Sequence, residues 1–267
     1  MADTIDSIRW FAPLARIILV DDSLRGLGAD LADHYGLTSV EARVRGLYGG
    51  LYRNLSDGFR EALTQPFEIL IRLDTDGLIA GSDFESKAVA LFQADDRLGS
   101  LGSFRIGYDC VGVRDRSWAK HQILKYLALH ALVRPQETMM MARLVGRARR
   151  SGYKLGDGIM GGAAIYRHEA VQALEVAGLL GRVDLARTGL HEDYIFGLCL
   201  FSIGYQLGEF GNRFDDLPMG VTWQGLPASP AELMERRKSI IHSTKRFGSM
   251  DERAIREAFR AARSEEN

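Results

Sequence analysis

Cysteine is scarce in this chain of 267 residues, net charge is nearly absent, and no apolar run is long. Each shortage excludes a class of protein. The two cysteines, Cys110 and Cys199, lie among apolar neighbours, which fits reduced core thiols in a cytoplasmic protein rather than a disulfide-stapled scaffold. The formal net charge is -1, so no global basic field draws the protein to nucleic acid or to anionic lipid. The most apolar stretch, Tyr194 to Tyr205, is too short to cross a bilayer and contains Ser202 and Gly204; it reads as a buried helix. The start of the chain is acidic where a secretory signal would be basic, so none is expected. The arginines from Arg143 to Arg150 read as a solvated helix face in preference to a peripheral membrane contact. There is no internal repeat, no low-complexity linker and no glycine-rich phosphate loop near the N-terminus.

What is present is an ordinary globular composition, 46% hydrophobic and 26% charged, enough for one large α/β domain or two small ones. Helices are expected over residues 4–14, 25–35, 50–63 and 83–93, with strands over 15–20 and 67–73 and a weaker one over 41–46. That alternation is the signature of βαβ units, in which ligands bind beyond the carboxyl ends of the strands. Further helices are expected over 117–133, 137–150 and 167–178, and at 194–203 after Gly189-Leu-His-Glu-Asp193. Gly152 to Gly162 reads as a loop approaching a ligand or another backbone. A charged helix closes the chain from about residue 250, so residues 1–246 form the main domain and 247–267 a C-terminal charged helix.

The most informative run is Phe67-Glu-Ile-Leu-Ile-Arg-Leu-Asp-Thr-Asp-Gly77. A buried strand ends in two carboxylates, and side chains two apart on a strand project to the same side. Asp74 and Asp76 would then repel unless a cation or a shared proton compensates. Such oxygen ligands suit magnesium or manganese, with phosphate filling further positions. The plain alternative is a turn after a strand, where Asp and Gly are common in any protein.

Four segments in order resemble the GT-A fold glycosyltransferases, most closely family 2, over roughly residues 5–245. They are Ile17-Ile-Leu-Val-Asp-Asp-Ser23, Leu73-Asp-Thr-Asp76, Gly161-Gly-Ala-Ala-Ile-Tyr-Arg-His-Glu-Ala170 and His191-Glu-Asp-Tyr194. The resemblance implies a nucleotide-diphospho-sugar transferase fold: a mixed, mostly parallel sheet flanked by helices, here without the family's usual first strand ahead of the helix at 4–14. It implies Asp22 as a contact to the nucleotide, with Arg53 and Asn54 in a loose counterpart of a second nucleotide-contacting segment. A solvent-facing pair on helix 50–63 is the equal alternative for those two. It implies Asp74 and Asp76 as metal and diphosphate ligands, His242 as a further metal ligand, and Lys245 as a phosphate contact. Asp193 is implied as the catalytic base, with Glu192 organising the site or capping its helix.

The activity implied is metal-dependent, inverting transfer of a sugar from a nucleotide diphosphate, UDP by preference, to an acceptor hydroxyl. Mn2+ or Mg2+ is the implied cofactor, and a homodimer would be favoured by an exposed sheet edge. Trp118, Tyr153 and Trp223 are candidates to stack on an acceptor sugar or, as large aromatics usually do, to fill the core. Two rivals remain at this stage. One is a degenerate GT-A domain that binds a nucleotide sugar without turnover. The other is a haloacid dehalogenase-type phosphatase, whose nucleophile strand also ends Asp-x-Asp-Gly and whose late acidic motif Gly156-Asp-Gly-Ile159 would fill.

Overall fold

The computed structural model describes residues 1–22, 26–42, 44, 49–105, 112–211 and 216–265. Cys110 and half of the strand expected over 41–46 lie outside them. The chain opens with α1 (Ala2–Phe11), β1 (Ile18–Asp21), α2 (Leu27–Tyr35) and β2 (Thr38–Glu41). Then come α3 (Gly49–Ala62), β3 (Ile69–Leu73), β4 (Leu78–Ile79), α4 (Phe84–Ala94) and β5 (Leu98–Gly102). The middle holds α5 (Ser117–Leu129), α6 (Pro135–Arg150), β6 (Ala163–Arg167), α7 (His168–Val176), α8 (Val183–Ala186) and α9 (Glu192–Ser202). The last stretch is β7 (Gln206–Glu209), β8 (Met219–Val221), α10 (Pro230–Glu235), β9 (Ile240–His242), β10 (Arg246–Phe247), β11 (Met250–Asp251) and α11 (Glu252–Glu265). No helix among the described residues is long and apolar enough to cross a membrane.

The main sheet has the order β3-β6-β5-β7. Here the expected mostly parallel sheet is corrected. β6 runs antiparallel to both β3 and β5, and only β5 and β7 are parallel. Ala163–Arg167, where the sequence suggested no strand and a helix only from Arg167, form the strand between β3 and β5. The register sets Leu73 opposite Ala163, so the start of β6 stands beside the end of β3. A second sheet, β4-β9-β8, and a parallel β1–β2 pair complete the larger strands. Among the described residues β1 pairs only with β2 and β3 only with β6, so no strand joins the β1–β2 pair to the main sheet.

Strand alternation divides the core. Ala164 and Tyr166 of β6 face a cluster built on α9, α3 and α6, whereas Ala163 and Ile165 face one built on Phe84, Phe92 and Phe210. α9 is buried along its whole length, as its sequence requires. Its Phe196 stacks on Phe59 of α3 with ring centroids 5.0 Å apart and meets Tyr52 edge-on. The charged C-terminal helix is firmly docked: Ile255 and Phe259 of α11 are buried with Leu78 and Ile241.

Cys199 lies fully buried on α9, where loss of water pushes its thiol up to about 12 despite the opposing charge of Arg182. Alkylation at about pH 8 should therefore leave Cys199 unmodified in the native protein and label it fully in denaturant. Peptide mass mapping reads the difference, and labelling of native Cys199 would contradict this packing.

Candidate metal centre

The turn that follows β3 is held at every carbonyl. Asp74 N donates to Gly162 O at 2.8 Å, and Gly77 N closes the turn on Asp74 O at 2.9 Å. Thr75 O accepts from Arg256 Nη2 of α11 at 2.8 Å and lies 2.9 Å from Thr4 Oγ1 of α1, which is also 3.0 Å from Gly77 O. Asp76 O accepts from Thr244 N at 2.8 Å and Thr244 Oγ1 at 2.9 Å. A Cβ at Gly77 would fall 2.4 Å from Leu73 Cδ1, so any larger residue here requires the Leu73 side chain to move. Elements distant in sequence thus fix the direction of both carboxylates.

Asp74, Asp76 and His242 present one ligand atom each, all within 4.8 Å of one another. His242 ends β9, and its Nδ1 lies 2.8 Å from Thr222 O. A carbonyl only accepts, so Nδ1 carries the proton, and in the neutral ring Nε2 is left with its lone pair. That Nε2 faces Asp76 Oδ1 at 3.3 Å, two acceptors aimed at one point. Asp76 Oδ2 is buried without a hydrogen-bond partner, and Lys245 Nζ approaches it at 3.2 Å without hydrogen-bond alignment. Burial opposes charge on Asp76, and contacts from His242 in its protonated form, from Ser243 and from Lys245 outweigh it and hold the carboxyl well below the usual range; a cation between Asp76 and the neutral ring would take the place of that proton. An orphaned carboxylate oxygen, a second carboxylate and an oriented imidazole fit a hard or borderline divalent cation.

Behind this group stands Arg72, buried on β3. Its Nη2 lies 3.0 Å from Asp74 Oδ1 and 2.9 Å from Glu192 Oε1 at the start of α9. Burial opposes its charge, yet Asp74 and Glu192 raise its pKa further above the ordinary arginine value. Burial raises the Glu192 carboxyl, with Arg72 opposing and Asp193 adding to the shift. Asp193, the next residue, turns to a different partner: its Oδ2 lies 3.0 Å from Arg114 Nη2, and Arg114 Nη1 donates to Gly158 O at 2.5 Å.

The glycine run is there for contact. A Cβ at Gly162, where φ is +103°, would fall 2.3 Å from the His242 ring, and one at Gly161 would stand 3.5 Å from Glu192 Oε1. One at Gly158 would fall 3.0 Å from Asp193 O. The loop between α6 and β6 therefore threads past the His242 ring and the start of α9.

Of the residues expected from the sequence, Asp74, Asp76, His242 and Lys245 converge, and Glu192 joins them through Arg72. Asp193 follows Glu192 on the same helix. Asp22 is exposed just beyond β1, and among the described residues no hydrogen bond or ion pair links it to this group; its neighbour Asp21 accepts from Gly28 N at 2.8 Å. Arg53 is half-buried on α3. The alternative of a solvent-facing pair is corrected for Asn54, which is buried and donates to Val44 O at 2.8 Å. Asp157, the late acid of the phosphatase reading, is held by Arg116 and by Lys154 N. Tyr153 is a core residue, and Trp118 packs against His191 and Tyr194.

Sequence reasoning missed Arg72, Arg114, Thr222 and Arg256. Arg72 had a signal: a charge inside Ile69-Leu-Ile-Arg-Leu73 has to be paired if the strand is buried. No protein-family model and no curated protein sequence matches the chain.

Gly162→Ala should lower stability by about 1 kcal/mol or more, because both the backbone and the His242 ring must shift. If manganese raises the melting temperature of the wild type, that rise should shrink in this variant. Thermal melts with and without Mn2+ measure both effects; a variant that melts and binds like the wild type would place His242 elsewhere.

Proposed function

We propose that this protein is a metal-dependent, inverting glycosyltransferase of GT-A type, similar to family 2, that moves a sugar from a nucleotide diphosphate to an acceptor hydroxyl. The observation that carries the reading is the convergence of Asp74, Asp76 and His242 with Lys245 beside them. Bound there, Mn2+ or Mg2+ would offset the negative charge that builds on the departing diphosphate. Lys245, on an exposed side chain, adds a point charge for the same phosphates. UDP is the favoured nucleotide, and Asp22, Arg53 and Asn54 are its candidate contacts.

Asp193 takes the acceptor's proton as the hydroxyl attacks, its carboxylate steered by Arg114. Glu192 organises the site through Arg72, which also orients Asp74. The ion pairs keep both acids anchored, so neither needs to reorganise during the reaction.

A second reading has a specific observation in its favour. Asp193 and Glu192 are each engaged by an arginine, and among the described residues β1 and β3 each pair on one side only, which suits a GT-A domain that binds a nucleotide sugar without turning it over. The phosphatase reading is weaker, since Asp157 is committed to Arg116.

Calorimetric titration of UDP, GDP and dTDP with manganese, repeated with EDTA, tests the site directly. One nucleotide should bind tightly, and EDTA should abolish that binding. Asp76→Asn should also abolish it; unchanged affinity in that variant would sink the metal assignment. For the base, Asp193→Asn should leave donor binding intact and slow transfer by about 10²–10⁴-fold. Full transfer activity in that variant would move the base role to another residue, and donor binding with no transfer even in the wild type would favour the non-catalytic reading.

A further inference from the structure

The α5–α6 hairpin leaves an unusual surface in water. Leu124, Leu129, Leu132, Val133 and Met139 are exposed, Leu132 by 94% and Val133 by 76%. Leu132 and Val133 form the tip between the two helices. Exposed aliphatic side chains gathered on one feature mark an interaction surface more often than chance.

The charge around them has one sign. Between Ser117 and Arg150 there are seven Lys or Arg residues and a single acid, Glu137, in a chain whose formal net charge is -1. Glu137 is itself engaged, 3.4 Å from Arg134 and 3.0 Å from Arg187. Lys120, Lys125, Arg143, Arg147, Arg149 and Arg150 are exposed, and none has an ion-pair partner among the described residues. On α6 the outward stripe is Met139, Arg143, Arg147 and Arg150, at helical spacing, while Thr138, Met141, Leu144, Val145 and Ala148 face the core. On α5 the outward positions include Trp118, Leu124, Lys125 and Leu129, with Ala119, Ile123 and Tyr126 buried.

We propose that this face docks the protein peripherally on an anionic lipid bilayer. The aliphatic tip enters the boundary between headgroups and acyl chains, and the unpaired cations meet lipid phosphates and carboxylates. A nucleic acid would find cations here but only aliphatic tips where its bases need stacking platforms. An apolar protein partner would leave the cations without partners. The remainder of the chain is net acidic, so the charge asymmetry favours this face toward a negative surface. α5 runs about 20 Å at 1.5 Å per residue, from Trp118, packed on His191 and Tyr194, toward the tip. A bilayer on this face would therefore lie alongside the start of α9, where Glu192 and Asp193 stand.

Flotation of the full chain with vesicles of phosphatidylcholine alone, or of phosphatidylcholine with phosphatidylserine, tests the proposal. The chain should float with the anionic vesicles, remain mostly free with the neutral ones, and dissociate as salt is added. Two variants separate the contributions: Leu132→Asp with Val133→Asp, and Lys125→Glu with Arg143→Glu and Arg147→Glu. Each should reduce partitioning roughly tenfold or more while leaving the thermal melt unchanged, since all five side chains are exposed. Failure of the wild type to float with anionic vesicles at low salt would overturn the proposal. So would variants that float like the wild type, or a wild-type dimer that the tip variant converts to monomer with no vesicle binding by either. Flotation needs no turnover, so its failure would leave the transferase reading standing, and failure of nucleotide binding would leave this one standing.

Discussion

A guanidinium buried in the main sheet governs the arrangement of the site. Arg72 cannot lose its proton, and a cation taken out of water is tolerated only with close counter-charges. Asp74 and Glu192 supply them at 3.0 and 2.9 Å. The first lies at the end of the same strand and the second opens α9, so the electrostatic requirement of one side chain ties the Asp-x-Asp turn to the helix that carries Glu192 and Asp193. Replacing Arg72 would leave the buried Glu192 carboxylate without its counter-charge, a far larger cost than that of losing an exposed ion pair.

Around that pair the backbone does most of the positioning. β6 returns antiparallel beside β3, which brings Gly161 and Gly162 against Glu192 and His242. α1 and α11, the two ends of the described chain, meet over the same turn through Thr4 and Arg256. Asp3 of α1 holds Arg263 of α11 at 2.6 Å in a buried contact. The charged terminal helix is thus a structural part of the carboxylate turn as well as a solvated surface. Its Arg256 reaches the Thr75 carbonyl from outside the site, so it would position the acids without meeting any ligand.

The surface divides in a way that complements the site. The acids of the candidate site and their arginine partners lie inside, whereas Lys120, Lys125, Arg143, Arg147, Arg149 and Arg150 of the α5–α6 hairpin have no ion-pair partner among the described residues. The sequence reading preferred a solvated helix face for Arg143 to Arg150 over a peripheral membrane contact, and Arg143, Arg147, Arg149 and Arg150 are exposed. Folding places these side chains outside the α6 core stripe, on the hairpin whose tip exposes Leu132 and Val133.

Local chemistry was legible where one segment suffices to express it. The strand ending Leu73-Asp-Thr-Asp-Gly77, the apolar helix after Glu192 and the helical spacing of α3 and α6 follow from periodicity and turn chemistry, and they stand close to the expected bounds. The antiparallel return of β6 was not legible, because Ala163-Ala-Ile-Tyr-Arg167 is short and leads directly into a helix. Nor could spacing alone show that Asn54 serves the backbone at Val44, or that Asp193 belongs to Arg114. The amino-acid sequence by itself determined which residues can bear charge, bend the chain or fill a core, since those are properties of short segments. Only the tertiary structure decided which charges meet, because Asp76 and His242 are brought within 3.3 Å by strand pairing and helix docking across more than half the chain.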